Sequence, residues 1–576
     1  MNVKYCLLNS DYKHIKYKEV SENLWKRKSL QITAAKEQKF AFQIMINCDT
    51  EVFCSLDKNN NISYKGLENK LRLNLKVDES LQQYFNISFL GYVKDDCGLI
   101  VSDPILNEPA IMLEKDISQM LWVEGIIPSS YDKDSIDIVI DVYSQYGYED
   151  EKKETTIKVK LNIVNICLKS LKDYDFHLDL WQHPSNWARM YKTPLWSYKH
   201  FEIIENYIKE LAQIGEKVIT LIVSDFLWAG QSCYKIHKNA SNLFEHNMVK
   251  IIKNKEGNIE CNFDNLDKYI EICMKHGIDK EIAIFGILGN WAARDFGNPI
   301  KDYKDPIRLN YYDEKSDTFK YITSKCDLKR YLKLLFNHLE DKKLLDKVYI
   351  ISDEPNNTEV YWECIDFINS ASNNKKLKYK TALHDENFTN NCMHMVDQIS
   401  LSLPLAISNM DKLKDEKNKS KTATWYVCCF PDKLNNFINS PLIESRLIGW
   451  FTYLFELDGF LRWDYAIWPN NPWENISYKY PAWKAGDMFF VYPGKDLNPV
   501  RSIRFENLRF GIQDHQLLKL LESKGLSKNI IEKKFLEKLL GKKAEMKAPD
   551  DRSVELNYSL DYNLYCDALT EIMKML

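Results

Sequence analysis

Two adjacent carboxylates, Asp353 and Glu354, close the run Lys347-Val348-Tyr349-Ile350-Ile351-Ser352-Asp353-Glu354-Pro355. The residues ahead of them are apolar and β-favouring, as in a strand buried on both faces, and Pro355 stops that strand. The acids therefore stand at a strand's C-terminal end. Successive strand side chains point opposite ways, yet at the frayed mouth of a strand both can lean into one cleft and take different jobs in acid-base chemistry. An Asp-Glu pair ahead of proline is also ordinary turn chemistry, so its meaning rests on what else collects at that end of the fold.

The elements that must position the pair repeat a single rhythm. From about residue 175 the chain alternates strand, loop and amphipathic helix, with strands expected at His177–Trp181, Val218–Asp225, Ile282–Leu288, Val348–Ser352, Leu377–Leu383, Gln398–Leu403, Thr422–Phe430 and Gly459–Asp464. Helical spacing of apolar residues marks Tyr198–Ile214, Leu266–Lys275, Leu328–Leu345, Glu359–Ser372 and Ile443–Phe455. No Gly-rich phosphate loop follows the first strand, so a closed barrel is favoured over an open doubly wound sheet, and the acid pair falls at the end of strand four. Ahead of this, short β runs such as Lys39–Ile46, Leu71–Val77, Phe85–Val93, Ile136–Tyr143 and Thr155–Val164 are separated by Asn, Asp, Gly and Lys turns, the pattern of an antiparallel sandwich. The segments around Ser102-Asp103-Pro104 and Leu121-Trp122-Val123-Glu124 read as structural joints. The expected fold is multidomain, α/β and all-β: an N-terminal β-sandwich over 1–170, a (β/α)8 TIM-like barrel over 171–475, and a hairpin and helical C-terminal region over 476–576 packed on the barrel. Within it, Trp483–Pro493 reads as the hairpin, Arg504–Lys524 as a long helix, Asp411–Lys421 as a solvated segment and Gly541–Val554 as a flexible loop.

Barrel active sites lie at the C-terminal ends of the strands. The candidates there are His183, Trp187 and Arg189 after strand one; Asp225 and Trp228 after strand two; Trp291 after strand three; Trp425 and Tyr426 on strand seven; and Trp463, Asp464, Tyr465 and Trp468 at strand eight. Asp487 and Tyr492 join them from the hairpin that follows. Singly, each has a structural alternative: a tryptophan after a strand can plug the barrel top, and a histidine can brace a loop. Their repetition at one end, mixing polar groups with flat aromatic rings, suits a sugar, whose C–H faces stack on such rings.

Composition narrows the remaining classes. The formal charge of −4 over 576 residues, with lysines and acids interleaved, argues against a nucleic-acid groove or an anionic membrane surface. The 14 cysteines and 11 histidines show no metal-ligand spacing, so neither a metal nor another cofactor is expected, and no Gly-x-Ser-x-Gly elbow occurs. The N-terminus lacks the apolar core of a signal peptide, and no apolar run reaches about 18 residues, so a cytoplasmic protein without membrane insertion is expected.

Glycoside hydrolysis commonly uses two carboxyl groups on opposite sides of the sugar ring, an arrangement that consecutive residues on one strand serve badly. They suit the substrate-assisted route, in which a 2-acetamido oxygen attacks the anomeric carbon while one carboxylate orients the amide and a neighbouring acid serves the leaving group. Around this pair, the segments Leu178-Asp179-Leu180-Trp181-Gln182-His183-Pro184, Gly459-Phe460-Leu461-Arg462-Trp463-Asp464-Tyr465, Gly486-Asp487-Met488 and Tyr492-Pro493-Gly494 complete a pattern that resembles glycoside hydrolase family 123, the β-N-acetylgalactosaminidases. The resemblance implies a retaining exo-β-N-acetylgalactosaminidase acting on glycans such as those of glycosphingolipids, with Asp353 polarising the acetamido group and Glu354 acting as acid and then base. The alternatives are a β-N-acetylglucosaminidase of the same mechanism and a carbohydrate-binding protein that does not cleave. The helix-rich tail beyond about residue 525 carries no motif of the pattern.

Overall fold

The computed structural model describes residues 1–56, 69–227, 244–289, 297–419, 421–474, 476 and 483–576. Trp228 and Trp291 lie outside them. The N-terminal region forms two packed sheets, one of five strands and one of six. Alternation builds their shared core: Leu71, Leu73 and Leu75 of one sheet and Ile44, Ile46, Leu121 and Val123 of the other point into the same apolar layer. Two pairings are parallel where an antiparallel sandwich was expected, Val52–Leu56 beside Lys70–Lys76 and Gln31–Lys36 beside Lys152–Cys167. Val52–Leu56 and Gln31–Lys36 each follow a strand of the opposite sheet, so no tight hairpin fixes their direction.

The barrel contains eight parallel strands: His177–Leu180, Val218–Ile222, Glu281–Phe285, Val348–Asp353, Tyr379–Leu383, Gln398–Ser402, Thr422–Tyr426 and Gly459–Arg462. Strand one pairs with strand eight in register, and the ladder runs unbroken from there back to strand two. The seam between strands one and two is closed differently. Besides a single bridge from Leu178 to Glu216, side chains replace the ladder: the Glu216 carboxylate accepts from Leu180 N and Val218 N, each at 2.9 Å, and Gln182 accepts from Thr220 N at 2.7 Å. Inside the barrel, buried Lys380 donates to Asp179 and Glu281, each at 2.5 Å, a charged cluster that pairs the ammonium with two carboxylates.

Helices Tyr198–Gln213, Lys325–Asp341 and Thr358–Ala371 start at Ser197, Ser324 and Asn357, whose side chains accept from backbone N–H groups of the first turn. Helix Ile443–Phe455 is buried all round because a second helix, Ile503–Ser523, covers its outer side. The two approach at Gly449 and Gly511, where a Cβ on Gly449 would stand 1.8 Å from the Gly511 carbonyl oxygen. The outer helix and the strand Pro499–Arg501 just before it also tie the sandwich to the barrel. Arg504 donates to Asp103 at 2.9 Å, Arg501 to Glu124 at 2.7 Å, and Phe510 stacks on Trp122 at 6.4 Å between centroids. The joints expected near Asp103 and Glu124 are thus sheet strands that grip this helix.

Three expectations are corrected. Asp411–Lys421 is not merely solvated chain, since Met410–Asn418 is helical, with Leu413 buried. The hairpin begins later than Trp483, pairing Val491–Pro493 with Pro499–Arg501. Gly541–Val554 is pinned rather than loose, through Val554 packed in the core and paired backbone bonds between Lys547 and Glu555. A small four-stranded sheet, Lys250–Lys253, Ile259–Asn262, Asn310–Asp313 and Thr318–Tyr321, was not read from the sequence at all.

Candidate active site

Asp353 is the last residue of strand four, in register with Ala382 of strand five. Glu354 follows with its N–H bonded to the Ala382 carbonyl at 3.1 Å and with φ of 47°, in the left-handed region that a glutamate seldom occupies. This turn breaks the strand's alternation, and both acids line one cavity of about 220 Å³. Such backbone strain costs on the order of 1–3 kcal/mol and persists where the surroundings fix it. Here strand five holds the Glu354 amide, and Gly289, in the loop after strand three, packs close: a Cβ there would lie 2.7 Å from Ser352 Cβ. Ser352 itself turns away, bonding Thr381 at 2.9 Å.

Opposite the acids, Tyr426 at the end of strand seven sets its hydroxyl 2.5 Å from Glu354 Oε1 and 3.3 Å from the Leu383 carbonyl. Burial, reinforced by the Glu354 carboxylate, pushes the phenol far above its ordinary range, so Tyr426 stays a hydrogen-bond donor. Trp181, Trp463 and Trp483 supply further flat walls, and His384, Phe430 and Arg552 complete the rim. Asp353 and Glu354 are the cavity's carboxylates among the described residues.

Beneath Trp463 lies a buried polar network. Arg462 donates to Asp464 at 2.9 Å, to Asp487 at 2.8 Å and to Asn435 at 3.0 Å, and Trp463 Nε1 approaches Asp487 at 3.5 Å. Burial raises Asp464 to about 8 and Asp487 to about 6, against the lowering pull of Arg462. The outer oxygens of both acids have no partner among the described residues, as befits a network in which one carboxyl keeps its proton at neutral pH. His183 bonds the Trp463 carbonyl at 2.9 Å, and burial pushes it down to about 3, so it is neutral.

Of the residues singled out from the sequence, Asp353, Glu354, Tyr426 and Trp463 line the cavity. The other described candidates do not line this cavity and make contacts within the surrounding fold. Trp187 is buried against Tyr207 and donates to the Ala466 carbonyl, Trp468 donates to Val491, and Tyr465 donates to Tyr207. Trp425 points outward to Thr452 and Phe455 on helix Ile443–Phe455. Arg189 bonds the Phe244 carbonyl, and Asp225, raised to about 6 by burial, accepts from Asn247 N. Tyr492 is spent on Asp103 at 2.6 Å. His183, Asp464 and Asp487 act one layer below, through Trp463. Most of their polar groups make hydrogen bonds within the fold. His384, Cys428, Cys429, Phe430 and Arg552 were missed. The first four follow strands five and seven directly and were open to the strand-end rule, whereas Arg552 had no such signal.

The chain and its fold have counterparts among known proteins. Residues 181–521 match the model of the glycoside hydrolase 123 catalytic domain. The chain belongs to glycoside hydrolase family 123. Among solved structures, the family 123 glycoside hydrolase from Clostridium perfringens superposes with a TM-score of 0.77 at 20% identity, over 100% of this chain and 98% of that one. A Bacteroides vulgatus protein (TM-score 0.29, 9% identity, 86% of this chain and 79% of that one) and a maltogenic α-amylase from Thermotoga neapolitana (0.30, 12%, 60% and 77%) are more distant. Comparison with curated proteins finds no match. As a family 123 member the chain is a glycosidase. No group of three or more His, Cys, Asp or Glu among the described residues could hold a metal ion, and no described helix is long and apolar enough to cross a membrane.

Proposed function

We propose that this glycosidase is a retaining exo-β-N-acetylgalactosaminidase that works by substrate-assisted catalysis. One observation carries the reading: two consecutive carboxylates meet in an aromatic cavity that holds no third carboxylate among the described residues, because Asp464 and Asp487 are buried on Arg462. A protein nucleophile facing the acid across the ring is what the ordinary retaining mechanism would need. The substrate's own acetamido group fills that role instead.

In the first step the acetamido oxygen attacks C1, the C1–O bond to the leaving sugar breaks, and Glu354 delivers its proton to the departing oxygen. Asp353 accepts from the amide N–H, whose positive character grows as the oxazolinium ring closes, so this contact strengthens in the transition state. In the second step Glu354, now a carboxylate, takes a proton from water as the water attacks C1 from the face the leaving group vacated. The acetamide reforms and β configuration is retained. Tyr426 holds Oε1 of Glu354, which leaves Oε2 for both proton transfers. Trp181, Trp463 and Trp483 are the proposed stacking walls.

The Clostridium perfringens relative is described by its hydrolysis of glycolipid glycans, and we extend that substrate class to this chain. The preference for N-acetylgalactosamine over N-acetylglucosamine rests on the family resemblance. Nitrophenyl β-glycosides of the two sugars, and of galactose, test the reading together. Turnover of the N-acetylgalactosaminide alone is expected. Comparable cleavage of the galactoside, which has no internal nucleophile, would overturn the mechanism, and preference for the glucosaminide would overturn the specificity.

A further inference from the structure

The cavity has one wall from outside the matched catalytic region. Arg552 belongs to the C-terminal extension, beyond residue 521 where the family match ends, yet it lines the same cavity as Asp353 and Glu354. Its segment is fastened on both sides. Lys547 and Glu555 exchange backbone bonds at 2.8 and 3.2 Å, Asp550 accepts from Arg552 N at 2.9 Å, and Tyr558 bonds Glu444 at 2.5 Å while accepting from Leu434 N. Asp551 reaches His384 at 3.4 Å, joining the extension to the loop after strand five at the cavity rim.

The guanidinium stands 5.6 Å from the Phe430 ring centroid. A cation-π contact of this kind fixes the group without using its N–H donors. No ion pair to it is found among the described residues: Asp551 turns to His384, and Asp550, whose carboxylate interacts electrostatically with Arg552, bonds Ser553 and the Arg552 backbone N–H. A solvent-exposed arginine elsewhere would be a plain surface cation. This one lines the same cavity as the proposed catalytic pair Asp353 and Glu354.

Building on the glycosidase reading above, we propose that Arg552 forms an anion subsite that receives a carboxylate or sulfate group carried by the glycan. The fork of N–H donors matches either group in bidentate fashion. Since the two acids occupy the reacting end, the anionic group belongs to the part of the glycan that lies toward the rim.

The test compares three oligosaccharides with the same scissile bond: a neutral one, one bearing a carboxylate on the adjoining sugar, and one bearing a sulfate ester there. The kcat/KM ratio of acidic to neutral substrate is measured for the wild type, Arg552→Gln and Arg552→Lys at low and high salt. Loss of the charged hydrogen bonds should lower the ratio about tenfold in Arg552→Gln, chiefly through KM, and less in Arg552→Lys. High salt should depress it in the wild type. The arm that responds identifies carboxylate or sulfate. A ratio unchanged by Arg552→Gln on both arms would overturn the subsite while leaving the activity intact. Failure of the wild type to cleave the neutral substrate would instead overturn the glycosidase specificity on which the subsite rests.

Discussion

Replacing Tyr426 by Phe removes the hydroxyl and its contacts to Glu354 and the Leu383 carbonyl, while the buried ring stays in place. That hydroxyl sits 2.5 Å from Glu354 Oε1. As Glu354 gives its proton to the leaving group it becomes a carboxylate, and a hydrogen bond to it strengthens as the charge develops. Hydrogen bonds to charged groups contribute about 1.5–3 kcal/mol. If most of this is realised only in the transition state, Tyr426→Phe should lose about ten- to a hundredfold in kcat/KM on an oligosaccharide or alkyl glycoside. A nitrophenyl glycoside, whose leaving group needs little protonation, should lose only a few-fold. The assay is kcat/KM over a series of aryl and alkyl N-acetylgalactosaminides, plotted against leaving-group acidity. A steeper slope in the variant is expected. Equal losses across the series would refute the reasoning, since they would mean that Tyr426 merely holds the cavity in shape.

Glu354→Gln should be severe on oligosaccharides but mild for the first step on a nitrophenyl glycoside, read as a burst of nitrophenol. Asp353→Asn should slow both substrates, by about 2–4 kcal/mol if it resembles loss of one preorganised group, and weaken binding of a thiazoline mimic of the intermediate, checked by calorimetry. Dialysis against a chelator should leave kcat unchanged, measured before and after divalent ions are restored. The Arg462 network gives a pH prediction. Asp464 is raised from 3.8 to about 8 in the fold, so between those values the folded chain holds a proton that the unfolded chain has lost, and stability falls as pH rises through that window. The melting temperature should decline toward pH 8, and Asp464→Asn, which keeps an acceptor for Arg462, should flatten the decline. Parallel curves would contradict the assignment.

The barrel was legible because each strand is a short apolar run followed by a helix of spacing three and four, and burial on both faces leaves little else such a run can do. The sandwich was less so: Val3–Asn9 mixes polar residues into half-buried positions, Gln119–Ile126 buries Gln119 and Glu124 within an apolar run, and the partners of both are set by crossings between sheets. At the site, the strand-end rule found the right end of the fold but overcounted, because it ignored which face each residue presents. Trp425 and Tyr426 are neighbours on strand seven, and alternation sends one to helix Ile443–Phe455 and the other to Glu354. Parity would have separated them: Tyr426 is in register with Leu461, which lines the cavity, and Trp425 with Phe460, which does not. Extending strand seven to Phe430 hid the loop residues Cys428, Cys429 and Phe430 in the same way.

What no local pattern could give is the layering. Arg462, Trp463, Asp464 and Asp487 read as equivalent polar and aromatic residues near one mouth, yet only Trp463 lines the cavity. The distinction is energetic. Arg462 is fully buried, and a buried guanidinium must be met by carboxylates and carbonyls. Asp464, Asp487 and Asn435 are therefore drawn inward to it. Trp463, flanked by that network and by His183 on its carbonyl, is left as a rigid plate over a fixed base. A ring so supported loses little freedom on binding, which is the condition under which stacking on a sugar contributes most to affinity.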